Sequence, residues 1–313
     1  MRPLAVYDLM AAPITFDFVK FLASARMHFL ANEGESQFDL LILCDRFRNW
    51  SFREKQMDLS HRIWRIHNLL VPIISITPDV ISFSLSRDRH QELLGNRQAI
   101  FPHQYDVDNP RIPYLDDTVN EYHRLTGITP QLFEAPQVAK KYAQQILARH
   151  KKPVILSPRQ ASFESYRDSP FAVTAASAEI LCDLGFDVLV IPDQEALGSD
   201  PPQLSGTNLV PEASFNLPLR LALHEAAKFS IISASGLLAP IYLAKALPPM
   251  LIYNPVVSGS KVAEETILAR MGFNVGDKKG LPWTPANQHW LWEENPDVKM
   301  LEAAITDLIR SIP

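Results

Sequence analysis

The residues whose types and spacing best suit chemistry fall in one stretch, Pro153 to Arg167, PVILSPRQASFESYR. An apolar run of strand character, Val154 to Leu156, opens into a polar segment that carries Arg159 and Arg167. Open α/β sheets bind ligands beyond the carboxyl ends of their strands, so both guanidiniums are expected at a binding edge. Arginine stays charged at any working pH and offers a planar fork of donors, which suits a phosphate or diphosphate. A surface ion pair is the competing role for each, and Arg159, nearer the strand, is the better placed.

Further candidates follow other apolar runs. Ser233-Ala234-Ser235-Gly236 comes after Phe229 to Ile232 and before a predicted helix. Its amides would open a helix N-terminus, which attracts anions, although Ser-Gly also makes an ordinary cap. Asp193 follows Val188 to Ile191 and suits either a ligand hydroxyl or a tight turn. Arg220, His224 and Glu225 share one short predicted helix, where a salt-bridged, solvated face is the default. Asp8, Thr15 and Asp17 surround the loop after the first apolar run, and Asp8 or Asp17 could act as general base toward an acceptor hydroxyl. Asp17 equally suits the first turn of a helix. His28, His61 and His103 lack the spacing of a metal site or triad, and no nucleotide-binding glycine motif, nucleophile elbow or zinc-protease motif occurs.

The elements that must position these residues alternate along the chain. In the first half the pattern predicts a strand over Leu4 to Leu9, a helix over Ile14 to Ala31 and a strand over Phe38 to Cys44. A helix with Ile63, Trp64, Ile66 and Leu69 then feeds a third strand over Val71 to Ile76. Weaker signals follow: helix over Asp88 to Leu94, strand over Ala99 to Phe101, helix over Thr118 to Leu125. After a helix over Val138 to Ala148 the basic segment Arg149 to Pro153 marks a boundary, giving domains 1–150 and 151–313. The second half repeats the alternation. Its strands are Val154 to Leu156, Val188 to Ile191, Ser230 to Ile232 and Met250 to Tyr253. Its helices are Phe171 to Leu184, with Gly185 as C-terminal cap, Leu219 to Lys228, Leu237 to Leu247 and an amphipathic one from Val298 to Ile312. Alternation of this kind implies parallel sheets, so each half is expected to be Rossmann-like.

Composition bounds the partners. The 313 residues are 47% hydrophobic and 21% charged, as expected of a folded protein of two domains. A net charge of -5 argues against a nucleic-acid partner. It makes a solvated helix the expected role of Arg46, Arg48, Trp50, Arg53, Arg62, Trp64 and Arg65. Cys44 and Cys182 each lie in or beside an apolar run and are expected to be buried thiols in a reducing compartment. The first residues do not read as a signal peptide, and no window reaches the length of a membrane span, so a cytoplasmic protein is expected. Pro at 25 against Gly at 11 predicts stiff loops rather than glycine-rich phosphate cradles.

Three pieces, ILSPRQASFESYRDS, DVLVIPD and LRLALHEAAKFSIISASGLLAPIYL, resemble the nucleotide-binding domain of GT-B glycosyltransferases, in particular bacterial sequences akin to the fucosyltransferase and heptosyltransferase groups. The likeness covers about residues 150 to 255. It implies two Rossmann-like domains facing each other across a cleft, with a nucleotide sugar on the C-terminal side and an acceptor on the N-terminal side. It further implies Arg159 and Arg167 at the diphosphate, Asp193 near the nucleoside, and Ser235 with Gly236 offering amides to phosphate. Ser233, Arg220 and Glu225 are donor-site candidates beside these, on the residues themselves. Related sequences often carry Gly-Pro where this one has Gly236-Leu237. The activity implied is metal-independent transfer of a sugar to an acceptor hydroxyl, in the setting of bacterial polysaccharide synthesis, with no cofactor beyond the nucleotide-sugar donor. The acceptor, whether glycan, lipid-linked or protein, is left open. A sugar-nucleotide epimerase or hydrolase, and a non-catalytic scaffold on the same fold, are the alternatives.

Overall fold

The computed structural model describes residues 2–48, 55–89, 99–111, 115–161, 164–198, 204–246, 248–255, 268–269, 272–273 and 280–312. The chain forms two compact units, Met1–Glu134 with Leu243–Lys245, and Ala135–Tyr242 with Ala246–Pro313. This division falls before the expected boundary at 150, because the helix Gln137–Leu147 packs on Leu217–Ala226 of the second unit.

In the first unit β1 (Leu4–Asp8), β2 (Phe38–Leu43), β3 (Val80–Ser86) and β4 (Ile100–Phe101) form a parallel sheet in the order β3-β2-β1-β4. β1 and β2 are buried along their whole length, as expected of strands covered on both faces. α1 (Asp17–Glu33) lays Phe18, Phe21 and Phe29 into a buried aromatic cluster with Tyr7, Phe38 and Phe101. The chain then runs as α2 (Leu59–Arg65), a π-helical turn (Ile66–Leu70) and α3 (Val71–Ser75). Val71 to Ile76 is therefore helical rather than the third strand. A short run of Val and Ile reads the same in a buried helix as in a strand, and Pro72 follows the π-helical turn directly in a continuous helical run. The strand is β3, whose alternation of Ile81, Phe83 and Leu85 with serines is a period-2 signal. α4 (Leu115–Thr126) completes the unit. Residues 90–94 of the expected Asp88–Leu94 helix, and Trp50 and Arg53, lie outside the described residues. In α2 it is Arg62 that is buried, its guanidinium 5.0 Å from the Phe47 ring centroid, while Ile63 and Trp64 are exposed, the reverse of the expected apolar face.

The second unit contains α5 (Gln137–Leu147), β5 (Pro153–Ser157), α6 (Phe171–Asp183), β6 (Asp187–Val190), β7 (Asn208–Leu209), α7 (Glu212–Phe215), α8 (Leu217–Ala226), β8 (Ser230–Ser233), α9 (Ala239–Tyr242), β9 (Met250–Asn254), β10 (Gln288–Trp292) and α10 (Val298–Arg310). Its six strands are parallel in the order β10-β9-β8-β5-β6-β7. Val154, Leu156, Val188, Val190, Phe229, Ile231 and Leu251 form a core with Leu181 of α6 and Ile305 and Leu308 of α10. Gly185 takes a φ of 78°, the left-handed cap that ends α6 before β6. The helix expected over Leu237 to Leu247 ends at Tyr242. Leu243 and Ala244 instead make backbone contacts with Leu132 and Phe133 in the first unit's own fold, so tertiary pairing overrides local helix preference. Cys44 and Cys182 are free and half-buried, not fully buried as expected, and burial still raises both thiols. No helix among the described residues is long and apolar enough to cross a membrane.

Candidate functional site

The strand order of the second unit reverses between β5 and β8, the topological switch point at which open α/β sheets bind ligands. Arg159 lies beyond β5, and Ser233 to Gly236 end and follow β8, so the fold brings together the two candidates that the sequence separates by more than seventy positions. The loops are tied to each other. Ser169 Oγ shares a short hydrogen bond with Ser233 Oγ and also accepts the Arg159 amide at 3.0 Å. Arg167, on the 3₁₀ turn Ser165–Arg167, donates through Nη2 to the Ala234 carbonyl at 3.4 Å.

Arg159 is buried, and burial is the main influence lowering its pKa, partly offset by the Asp168 carboxylate to which its Nη1 donates. The same Nη1 reaches the Glu164 carbonyl at 3.0 Å. Arg167 donates through Nη1 to Glu164 Oε2 at 2.8 Å, and its Nε is buried with no hydrogen-bond partner. Ser235 is the N-cap of the 3₁₀ turn Gly236–Leu238, with extended backbone and no side-chain cap bond. Asp193, just beyond β6, receives the Gln160 amide at 3.4 Å, and burial raises its pKa against the opposing charges of Arg220 and Arg159.

Arg220 and His224 are not on a solvated face: they are 2% and 0% exposed. α8 turns Arg220 inward, where Nε and Nη2 donate to the carbonyls of Ala213 at 3.2 Å and Pro192 at 2.9 Å. Burial lowers its pKa to about 10, Asp193 pulling the other way. Arg220 thus braces the turn after β6 that carries Asp193. His224 shares a 2.8 Å hydrogen bond with Ser230 Oγ under β8. Glu225 receives the Ala135 amide at 2.9 Å through Oε1 and approaches Lys140 at 3.6 Å through Oε2, fastening the start of the unit.

In the first unit the strand ends converge on one guanidinium. Arg89, beyond β3, donates to both oxygens of Asp8 at 2.6 and 2.8 Å and to Asp45 Oδ2, beyond β2, at 2.8 Å. Tyr105, beyond β4, donates to Asp8 Oδ2 at 2.7 Å. These contacts raise the Arg89 pKa, the bond to Asp8 foremost, and burial raises that of Tyr105. Asp8 is buried and committed to these partners. Asp17 opens α1 exposed to solvent, accepting from Thr15 Oγ1 at 2.7 Å. Sequence reasoning missed Arg89 and Tyr105, although Arg89 follows the period-2 run of β3. It also missed Asp168, whose role depends on a contact.

Two parallel-sheet, Rossmann-like units define an α/β fold of the GT-B glycosyltransferase type. No family model matches the sequence, and no curated protein matches it. Among solved structures the chain is similar to the ADP-heptose lipopolysaccharide heptosyltransferase II of E. coli, with a TM-score of 0.60 and 11% identity over 99% of each chain. It is also similar to a glycosyltransferase family 9 protein of Veillonella parvula, with a TM-score of 0.55 and 12% identity over 100% of this chain and 90% of that one. The resemblance read from residues 150 to 255 is borne out in the fold of the whole chain.

Proposed function

We propose that the protein is a glycosyltransferase that moves a sugar from a nucleotide-activated donor to an acceptor hydroxyl. The observation that carries this reading is the meeting of Arg159, Arg167 and the Ser233–Gly236 loop at the β5/β8 switch point. Departure of a nucleoside diphosphate leaves charge on its oxygens, and fixed guanidiniums and backbone amides aimed there lower the barrier without reorganising. The similarity to a heptosyltransferase whose name specifies ADP-heptose supports a nucleotide sugar as donor. Asp193 serves the nucleoside end, with Arg220 bracing its turn, and the fixed cations carry the charge stabilisation that a metal supplies in other transferases. In the first unit, Asp17 is the base, because its carboxylate is exposed whereas that of Asp8 is engaged by Arg89 and Tyr105.

A thermal-shift series with ADP, GDP, UDP and their sugars tests the donor assignment, since a ligand that binds only the folded state stabilises it by mass action. At least one nucleotide is expected to raise Tm, and Arg159→Ala is expected to lose that shift. No shift with any nucleotide would remove the basis of the reading. Labelled donor incubated without acceptor separates transfer from the epimerase or hydrolase alternative, in which free or epimerised sugar accumulates.

A further inference from the structure

Both arginines of the candidate donor site are held by carboxylates from their own segment. Arg159 pairs with Asp168, and Arg167 pairs with Glu164 at 2.8 Å. The four side chains sum to zero charge. The carboxylates are also more open than the cations they hold in the first pair, since the Asp168 side chain is 26% exposed and that of Arg159 is 6%. Of this pair the carboxylate is the partner that meets solvent. Asp168 is secured a second time by the Ala161 amide at 3.1 Å, and burial raises its pKa, so its charged form is kept at a cost. Glu164 has a φ of 52°, the left-handed region that residues with a Cβ seldom adopt, and its carbonyl and carboxylate reach Arg159 and Arg167 respectively.

A carboxylate and a phosphate satisfy the guanidinium fork in the same way. Resting on the donor-site reading above, we infer that Asp168 and Glu164 are internal stand-ins for the donor's diphosphate: they hold the two arginines in phosphate-binding posture and are displaced when a nucleoside diphosphate group arrives. Displacement makes the segment an exchange point. The arginines trade one anion for another and are never left buried and unpaired, a state that would be costly. It also sets the affinity below what the arginines alone would provide, because each incoming phosphate must break an existing ion pair. These two acids thereby tune donor affinity and product release.

The test is isothermal titration of the full chain with ADP and with GDP, comparing wild type, Asp168→Asn and Glu164→Gln. Asparagine keeps the shape of Asp168 and an acceptor for the Ala161 amide while removing the competing charge. The expected result is binding about tenfold tighter in Asp168→Asn, the size of one partly buried ion pair no longer broken. A smaller gain is expected in Glu164→Gln, whose pair is more exposed. The gain should vanish when Arg159→Ala is added to Asp168→Asn. Unchanged or weaker binding in a cooperatively folded Asp168→Asn, where wild type binds, overturns the inference and leaves the donor site standing. If Asp168→Asn fails to fold, Glu164→Gln decides by the same criterion. Binding by the variants but not by wild type supports the inference. Absence of binding in all three overturns both the donor-site reading and the inference built on it.

Discussion

At Asp8 the carboxylate accepts four hydrogen bonds: Met10 N and Arg89 Nη2 on Oδ1, Arg89 Nη1 and Tyr105 Oη on Oδ2. A buried carboxylate so served is an anchor for the strand ends, and the Arg89 charge makes that burial affordable. Removing the cation leaves Asp8, 0% exposed, without its counter-ion. Breaking a buried pair from one side costs about 3–5 kcal/mol. Arg89→Met is therefore expected to lose that much in urea unfolding, and Asp8→Asn combined with it should recover part of the loss. If Arg89→Met unfolds at the wild-type midpoint, the cluster is not holding the sheet edge. The same residue-scale logic separates Arg220 from Arg159. Arg220 is enclosed and serves carbonyls, whereas Arg159 is held by a half-open carboxylate and has something to exchange.

The elements place these groups through strand order. β5 and β8 are neighbours because the chain after β7 crosses back over the sheet, and only that crossover brings Arg159 beside Ser233. At the sheet's other edge, β10 presents Trp290 and Trp292 stacked at 5.0 Å and 14°, with Phe273 against both rings edge-on. Gly280 lies under this cluster with a φ of 68°, and a Cβ there would come 2.2 Å from Trp290 Nε1. Gly280→Ala meets both a left-handed backbone and an aromatic ring that must move. A loss of roughly 2 kcal/mol is expected, together with altered tryptophan fluorescence as the stack is displaced. Stability and emission equal to wild type would show that the ring yields without cost.

For the molecule as a whole, stability is coupled to pH through His224. Enclosure, and secondarily the charge of Arg220, push its pKa down to about 3. The unfolded chain takes up a proton near pH 6.5 while the folded chain stays neutral, so the stabilisation is complete above pH 6.5 and is lost as pH falls toward about 3. The slope is about 1.4 kcal/mol per pH unit in that window. Between pH 7 and pH 5 the wild type is expected to lose roughly 2 kcal/mol more than His224→Gln, measured by urea unfolding at each pH. Equal losses would mean that His224 is protonated in the folded state. The sequence by itself determined the α/β alternation, four of the six strands of the second unit and the position of Arg159 at a strand end, because these depend on apolar runs and their punctuation; β7 and β10 were not among the expected strands. Only the tertiary structure decided the rest. Val71 to Ser75 became helix, and the Leu237–Leu247 helix stopped at Tyr242 where Leu243 and Ala244 pair with Leu132 and Phe133. It also decided which acid each arginine meets: Asp168 for Arg159, Glu164 for Arg167 and Asp8 for Arg89. The Asp8–Arg89 pair and the burial of Arg220 arise from packing between segments, and the Arg159–Asp168 and Arg167–Glu164 pairs from the way one loop folds back on itself; apolar periodicity carries no information about either.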